Sequence, residues 1–221
     1  MESQAARSEG IRSNLEHWKE VQDAGYFETH PCYNGLTEFG GDGEVAMTER
    51  FVKLSPETVM AVIGCGYGRE SLAFAKRVKR IYGIDVTPTI LAKAVRFISE
   101  RGVTNFHPVL ADEYKAKIPD GLDLVFSIVV MQHLTRDLVR DYFMNLGHKL
   151  SADGSIVIQF LEDLIDFQPA DAELRAYEPS VSWNMRQLVE LARETGLQVV
   201  EIISIVATPT CMWHWGHFKR A

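Results

Sequence analysis

The chain has 221 residues, 46% of them hydrophobic, and carries 30 acidic against 23 basic side chains for a formal net charge of -7. That length and composition suit one globular domain with a small appendage and a real core, and no run of about 18 apolar residues offers a membrane span. The acidic balance disfavours a nucleic-acid partner, which asks for a basic face.

Ile11, Leu15 and Trp18 recur at i, i+4 and i+7 and predict one face of a helix. Residues 24–35 follow, rich in aromatics and turn formers, and residues 1–45 as a whole precede an alternation of strands and helices. Val59-Met-Ala-Val-Ile63 reads as a buried strand, and three glycines at alternate positions, Gly64, Gly66 and Gly68, break it. A helix is expected from Arg69 to about Arg80, with Leu72, Ala75 and Val78 toward the sheet. Its basic end, Lys76 to Arg80, reads as a solvated face complementing the helix dipole. Ile81 to Asp85 is a second strand. Thr87 reads as an N-cap with Pro88 at the first helical position, Leu91, Ala94, Val95 and Ile98 as the apolar face, and Gly102 as the close.

Phe106 to Leu110 predicts a third strand, and Leu122 to Val130, apolar almost throughout, a central parallel one. Thr135 can cap a helix that buries Val139, Phe143, Leu146 and Leu150, and Ile156 to Leu161 is the fifth strand. Residues 163–182, with weak periodicity, read as an insertion above the sheet. A helix from Met185 to Thr195 ends at Gly196, and Gln198 to Val206 and Cys211 to Lys219 form a pair of strands. Alternation puts Trp213, Trp215 and His217 on one side of the last strand and His214 on the other, a packing pattern rather than a metal site.

A strand, a glycine turn and a helix start together make a nucleotide site, because bare backbone can approach the ligand and the helix N-terminus faces it. The dinucleotide fingerprint Gly-x-Gly-x-x-Gly is not met, since Arg69 stands where its third glycine belongs, and no Gly-Lys-Ser/Thr of a P-loop follows. Asp85, at the end of the next strand, can accept both hydroxyls of a ribose. Cys32, Cys65 and Cys211 are widely spaced and give neither a disulfide framework nor zinc spacing. Met1 to Arg7 lack the apolar core of a secretion signal, so a cytoplasmic location is expected.

Gly64-x-Gly66-x-Gly68 followed by the acidic strand end at Asp85 resembles the class I methyltransferases that use S-adenosylmethionine. Ala111-Asp112, Asp123 to Leu134 and Leu150 to Ile158 extend the resemblance over residues 40 to 160. One departure stands at Val62, where the family often carries an acidic residue that steadies the glycine loop or meets the methionine amino group. The resemblance implies an α/β, Rossmann-like three-layer sandwich with a seven-stranded, mostly parallel sheet and an antiparallel last strand. Residues 1–45 would be a helical lid segment and 46–221 the methyltransferase domain, with its insertion at about 163–182. It implies S-adenosylmethionine as cofactor, held by Gly64, Cys65, Gly66 and Gly68, by Asp85 and Val86 at the ribose, by Asp112 and Glu113 at the adenine edge, and by Ile128 near the sulfur.

Methyl transfer from a sulfonium is an in-line displacement in which the protein chiefly aligns and excludes water, and a base is needed only for a nucleophile that still carries its proton. His133, just past the fourth strand, is the first candidate base, with an ordinary pKa suited to neutrality. Glu162 and Asp163, past the fifth strand, are the next. No metal is expected, since nothing fixes Glu162, Asp163 and Asp166 into a ligand set. Tyr26, His30, Tyr33, Tyr177 and Trp183 are candidates to shape an acceptor pocket. The expected reaction is methylation of a small-molecule hydroxyl, a sugar or secondary metabolite, with no nucleic acid or membrane partner and a homodimer left open. Two other readings remain: methylation of a small amine or protein nitrogen, and a cofactor-binding regulatory subunit without turnover. No Asn-Pro-Pro-Tyr-type signature follows the fourth strand, where Ser127-Ile128-Val129-Val130 stands.

Overall fold

A computed structural model of the chain describes residues 4–29, 41–164 and 181–221. Seven strands form one sheet in the order β3-β2-β1-β4-β5-β7-β6. They are β1 (Val59–Ile63), β2 (Arg80–Asp85), β3 (Phe106–Leu110), β4 (Leu122–Ser127), β5 (Leu150–Asp163), β6 (Leu197–Thr208) and β7 (Cys211–Arg220). The first five run parallel, and β7 lies antiparallel to both β5 and β6.

The alternation along each strand feeds two apolar layers. Ala61, Ile63, Val125, Ile156, Ile158 and Phe160 face α1 (Gln4–Asp23), α6 (Tyr114–Lys117), α7 (Arg136–His148) and α8 (Met185–Glu194). Met60, Val62, Leu124, Phe126 and Val157 face α3 (Asp42–Glu49), α4 (Arg69–Ala75) and α5 (Pro88–Ser99). Phe126 is fully buried and meets the Phe74 ring at 4.8 Å, so truncating it to alanine would cost about 3 to 5 kcal/mol. The short helix α2 (Tyr26–Thr29) completes the elements before α3. Among the described residues no helix is long and apolar enough to cross a membrane.

Helix starts follow local chemistry. Thr87 Oγ1 accepts from the Ile90 amide at 3.1 Å, with Pro88 next in line. Thr135 Oγ1 accepts from the Leu138 amide at 3.4 Å, and Asn184 with Gln187 forms a reciprocal capping box. Several boundaries differ from the sequence pattern. α4 stops at Ala75, and the basic cluster lies in the turn and at the start of β2, with Arg77 on Glu49 and Lys79 on Glu57. Val95 is 40% exposed while Ile90 takes a buried place on α5. β5 starts six residues early, at Leu150. β4 ends at Ser127 rather than Val130, because the backbone turns sharply at Val129. Most of the expected insertion lies outside the described residues.

Candidate active site

The strand order reverses between β1 and β4, and the carboxyl ends of β1 to β4 open there onto a cleft of about 850 Å³, its solvent-filled mouth included. Such reversal points are where open α/β sheets bind ligands. Gly64, Cys65 and Gly66 line it. Gly64 and Gly66 have φ of 65° and 51°, and a side chain on either would collide: a Cβ would lie 2.4 Å from Val130 Cγ2 at Gly64 and 2.8 Å from Phe27 Cζ at Gly66. Gly68 is not on the wall. It caps α4, and its added Cβ would meet Ile98 Cδ1 at 2.7 Å, so it serves the approach of α4 to α5. Burial, and then the charge of Asp85, pushes the Cys65 thiol well above its usual range, which keeps it protonated.

Asp85 lines the cleft, is 5% exposed, and accepts from the Gly66 and Val86 amides at 2.7 Å each. Burial pushes its carboxyl up to about 6, with the two amides pulling the other way. Val86 is beside it on the wall. The adenine-edge expectation is corrected. Asp112 and Glu113 are exposed and off the wall, Asp112 meeting Lys19 Nζ at 3.4 Å, and Ala111 takes the wall position. The chain leaves β3 at Leu110 in a tight turn, in which the Glu113 amide donates to the Leu110 carbonyl, so strand alternation no longer aims Asp112 inward.

Ile128 lies on the wall with Val129 and Val130. His133 lies there too, on a single 3-10 turn, Met131–His133. Its carbonyl accepts from Trp18 Nε1 at 2.8 Å and Asn14 Nδ2 at 3.4 Å, and the Trp18 ring packs edge-on at 4.9 Å. These bonds bring α1 over the cleft, where Leu15, Trp18 and Gln22 join the wall. Tyr26 and Phe27 of α2 extend it, and Glu28 is paired with Lys93 of α5.

Glu162 and Asp163 are not brought to the cleft. Glu162 Oε2 is 2.7 Å from His214 Nε2, whose Nδ1 shares a 2.7 Å hydrogen bond with Ser204 Oγ. Asp163 lies at the far end of β5, where its amide meets Ser182 Oγ at 3.0 Å. Trp183 is also away from the wall: it is buried against Phe160 at 5.5 Å, with the Arg136 guanidinium 4.4 Å over its ring. His30, Tyr33 and Tyr177 lie outside the described residues, as do Cys32 and Asp166. Sequence reasoning missed Gln22, Phe27, Tyr67, Arg69, Glu70 and Tyr142 on the wall. Of these, Arg69 and Glu70 had a signal in their place directly after the last glycine.

The cleft suits an adenosyl group carrying an amino-acid tail. Gly64 and Gly66 offer bare backbone, Asp85 a carboxylate, and Arg69 and Glu70 a bonded pair of opposite charges. Gln22 Oε1 and Tyr67 Oη are buried wall atoms with no hydrogen-bond partner among the described residues, so polar capacity is left for a ligand.

Residues 61–154 match the family model described as Methyltransferase domain. No curated protein matches the chain in sequence. Among solved structures, phosphoethanolamine N-methyltransferase 2 from Haemonchus contortus, in complex with phosphomonomethylethanolamine and S-adenosylhomocysteine, aligns at 16% identity with a TM-score of 0.66 over 81% of this chain and 52% of its own. The chain thus spans about half the length of that enzyme. The [4+2]-cyclase SpnF aligns at 13% identity and a TM-score of 0.68, covering 81% of each chain. A TehB-like SAM-dependent methyltransferase from Corynebacterium glutamicum aligns at 18% identity and 0.59, over 96% of this chain and 98% of its own. The glycine loop, Asp85 and the end of β4 all fall inside the matched segment: residues 61–154 match a methyltransferase domain, and the chain shares the fold of solved methyltransferases.

Proposed function

We propose that this chain methylates a hydroxyl oxygen of a small molecule, with His133 as the base. S-adenosylmethionine supplies an electrophilic methyl group on a sulfonium. The Gly64–Gly66 backbone and Asp85 would hold its ribose side. Arg69 and Glu70 would receive the carboxylate and ammonium of its methionine end, a role consistent with the burial of Val62 in the core. Trp18, Tyr26 and Phe27 would act as the lid, keeping water from the reacting atoms. The wide cysteine spacing accords with a reducing cytoplasm.

The observation that carries the oxygen reading is His133 on the cleft wall, on the turn directly after β4. There it can take the proton that a hydroxyl releases as its new bond to carbon forms and the carbon–sulfur bond breaks. The test is transfer of labelled methyl from S-adenosylmethionine across a panel of small hydroxyl and amine acceptors. An O-methylated product whose formation depends on His133 is the expected result; a product methylated on nitrogen, at a rate indifferent to His133, overturns the reading.

A further inference from the structure

Val129 is, among the described residues, the only non-glycine with a positive φ, at 56°. A β-branched side chain pays heavily for that left-handed conformation, and such strain persists only where surrounding structure enforces it. The enforcing contact is visible. Gln159 of β5 is fully buried; its Oε1 accepts from the Val129 amide at 2.8 Å while its Nε2 donates to the Phe160 carbonyl at 2.9 Å. Both ends of the carboxamide are therefore fixed by backbone.

The consequence lies in the cleft. In an extended strand, neighbouring side chains point to opposite faces. Because the chain turns at Val129, Ile128, Val129 and Val130 all lie on the cleft wall, and Val130 is seated against Gly64. We propose that Gln159, which does not itself line the cleft, is a positioning residue: by holding Val129 left-handed it sets the wall that the end of β4 presents to the cofactor opposite the glycine loop. This rests on the methyltransferase reading of the cleft.

The experiment compares wild type, Q159M and the double variant Q159M/V129G by calorimetric titration with S-adenosylhomocysteine, well below the melting temperature of each. Q159M keeps the volume but loses the acceptor and should weaken affinity by about tenfold or more. V129G takes the same φ without strain and should restore most of that loss. A residue that only fills the core would give neither the loss nor its rescue. Wild-type affinity in Q159M, or no recovery in the double variant, overturns the proposal. Should Q159M not fold, V130A tests the same wall by removing the side chain seated on Gly64: weakened affinity supports the proposal and unchanged affinity overturns it. A wild-type protein that binds neither S-adenosylhomocysteine nor S-adenosylmethionine would instead sink the methyltransferase reading beneath it.

Discussion

The carboxylate of Asp85 and the amide of Gly66 are joined by a 2.7 Å hydrogen bond, which ties the end of β2 to the glycine loop beyond β1. The same carboxylate also takes the Val86 amide, so its two oxygens fix the backbone of the glycine loop and of the turn after β2. Asp85→Ala should weaken S-adenosylmethionine binding by about 1.5 to 3 kcal/mol, as for lost hydrogen bonds to a charged group. Calorimetry reads this directly, and unchanged affinity contradicts the ribose assignment.

The same residue predicts a pH dependence. Burial raises the Asp85 carboxyl from 3.8 to about 6 in the fold, so the folded state holds the proton more tightly than the unfolded chain. The stabilising contribution is full below pH 3.8 and is lost as the pH climbs through about 6. That loss amounts to about 3 kcal/mol. Relative to wild type, Asp85→Asn should therefore gain stability between about pH 4 and about pH 7. Urea melts of the two proteins without cofactor, run across that range, check it; a stability difference that does not change with pH rules out the raised carboxyl.

His133→Ala should lower kcat by about a hundredfold or more while leaving cofactor affinity near wild type, if the side chain removes the acceptor proton. The Trp18 and Asn14 hydrogen bonds end on its carbonyl, so removing the ring leaves them in being and takes away the edge-on packing against Trp18. The pH–rate profile should lose its acidic limb. A variant with an unaltered profile would return His133 to a role in packing against Trp18.

The glycine loop, Asp85 and the Thr87 cap were legible because each is a local device, written in adjacent residues and needing no distant partner. The end of β4 was not. Apolar strand formers continue past Ser127 as Ile128, Val129 and Val130, and nothing nearby in the chain reveals that Gln159 will turn it at Val129. Asp112 sits in the expected place in sequence, but a turn aims it at solvent. Trp18 lies 115 residues from the carbonyl it binds, so its helical spacing was readable and its target was not. Local chemistry thus marks the glycine loop and its carboxylate, while the walls around them depend on contacts that close only in three dimensions.

Two left-handed glycines separate strain from collision. Gly102 has φ of 75° with nothing within 4 Å of an added Cβ, whereas Gly64 has φ of 65° with Val130 in the way. Gly102→Ala should cost about 1 kcal/mol, the backbone penalty alone, with cofactor affinity unchanged. Gly64→Ala should cost more and displace Val130, lowering affinity as well. Paired denaturation and binding measurements test the contrast, and equal behaviour of the two variants would refute it.

Trp18→Phe keeps a ring against His133 and Tyr26 but deletes the shorter of two side-chain donors to the His133 carbonyl, the longer being Asn14 at 3.4 Å. Stability should fall by about 1 kcal/mol. The more telling effect is kinetic. α1 is held over the cleft at one end by this bond, and beyond it α2 is held by the Glu28–Lys93 pair, so loosening the first should let the helix open more often. S-adenosylhomocysteine should then leave faster, and amides of α1 should exchange hydrogen faster, while those of β1 and β4 stay protected. Faster exchange with an unchanged release rate would mean that α1 covers the cleft without controlling exit from it.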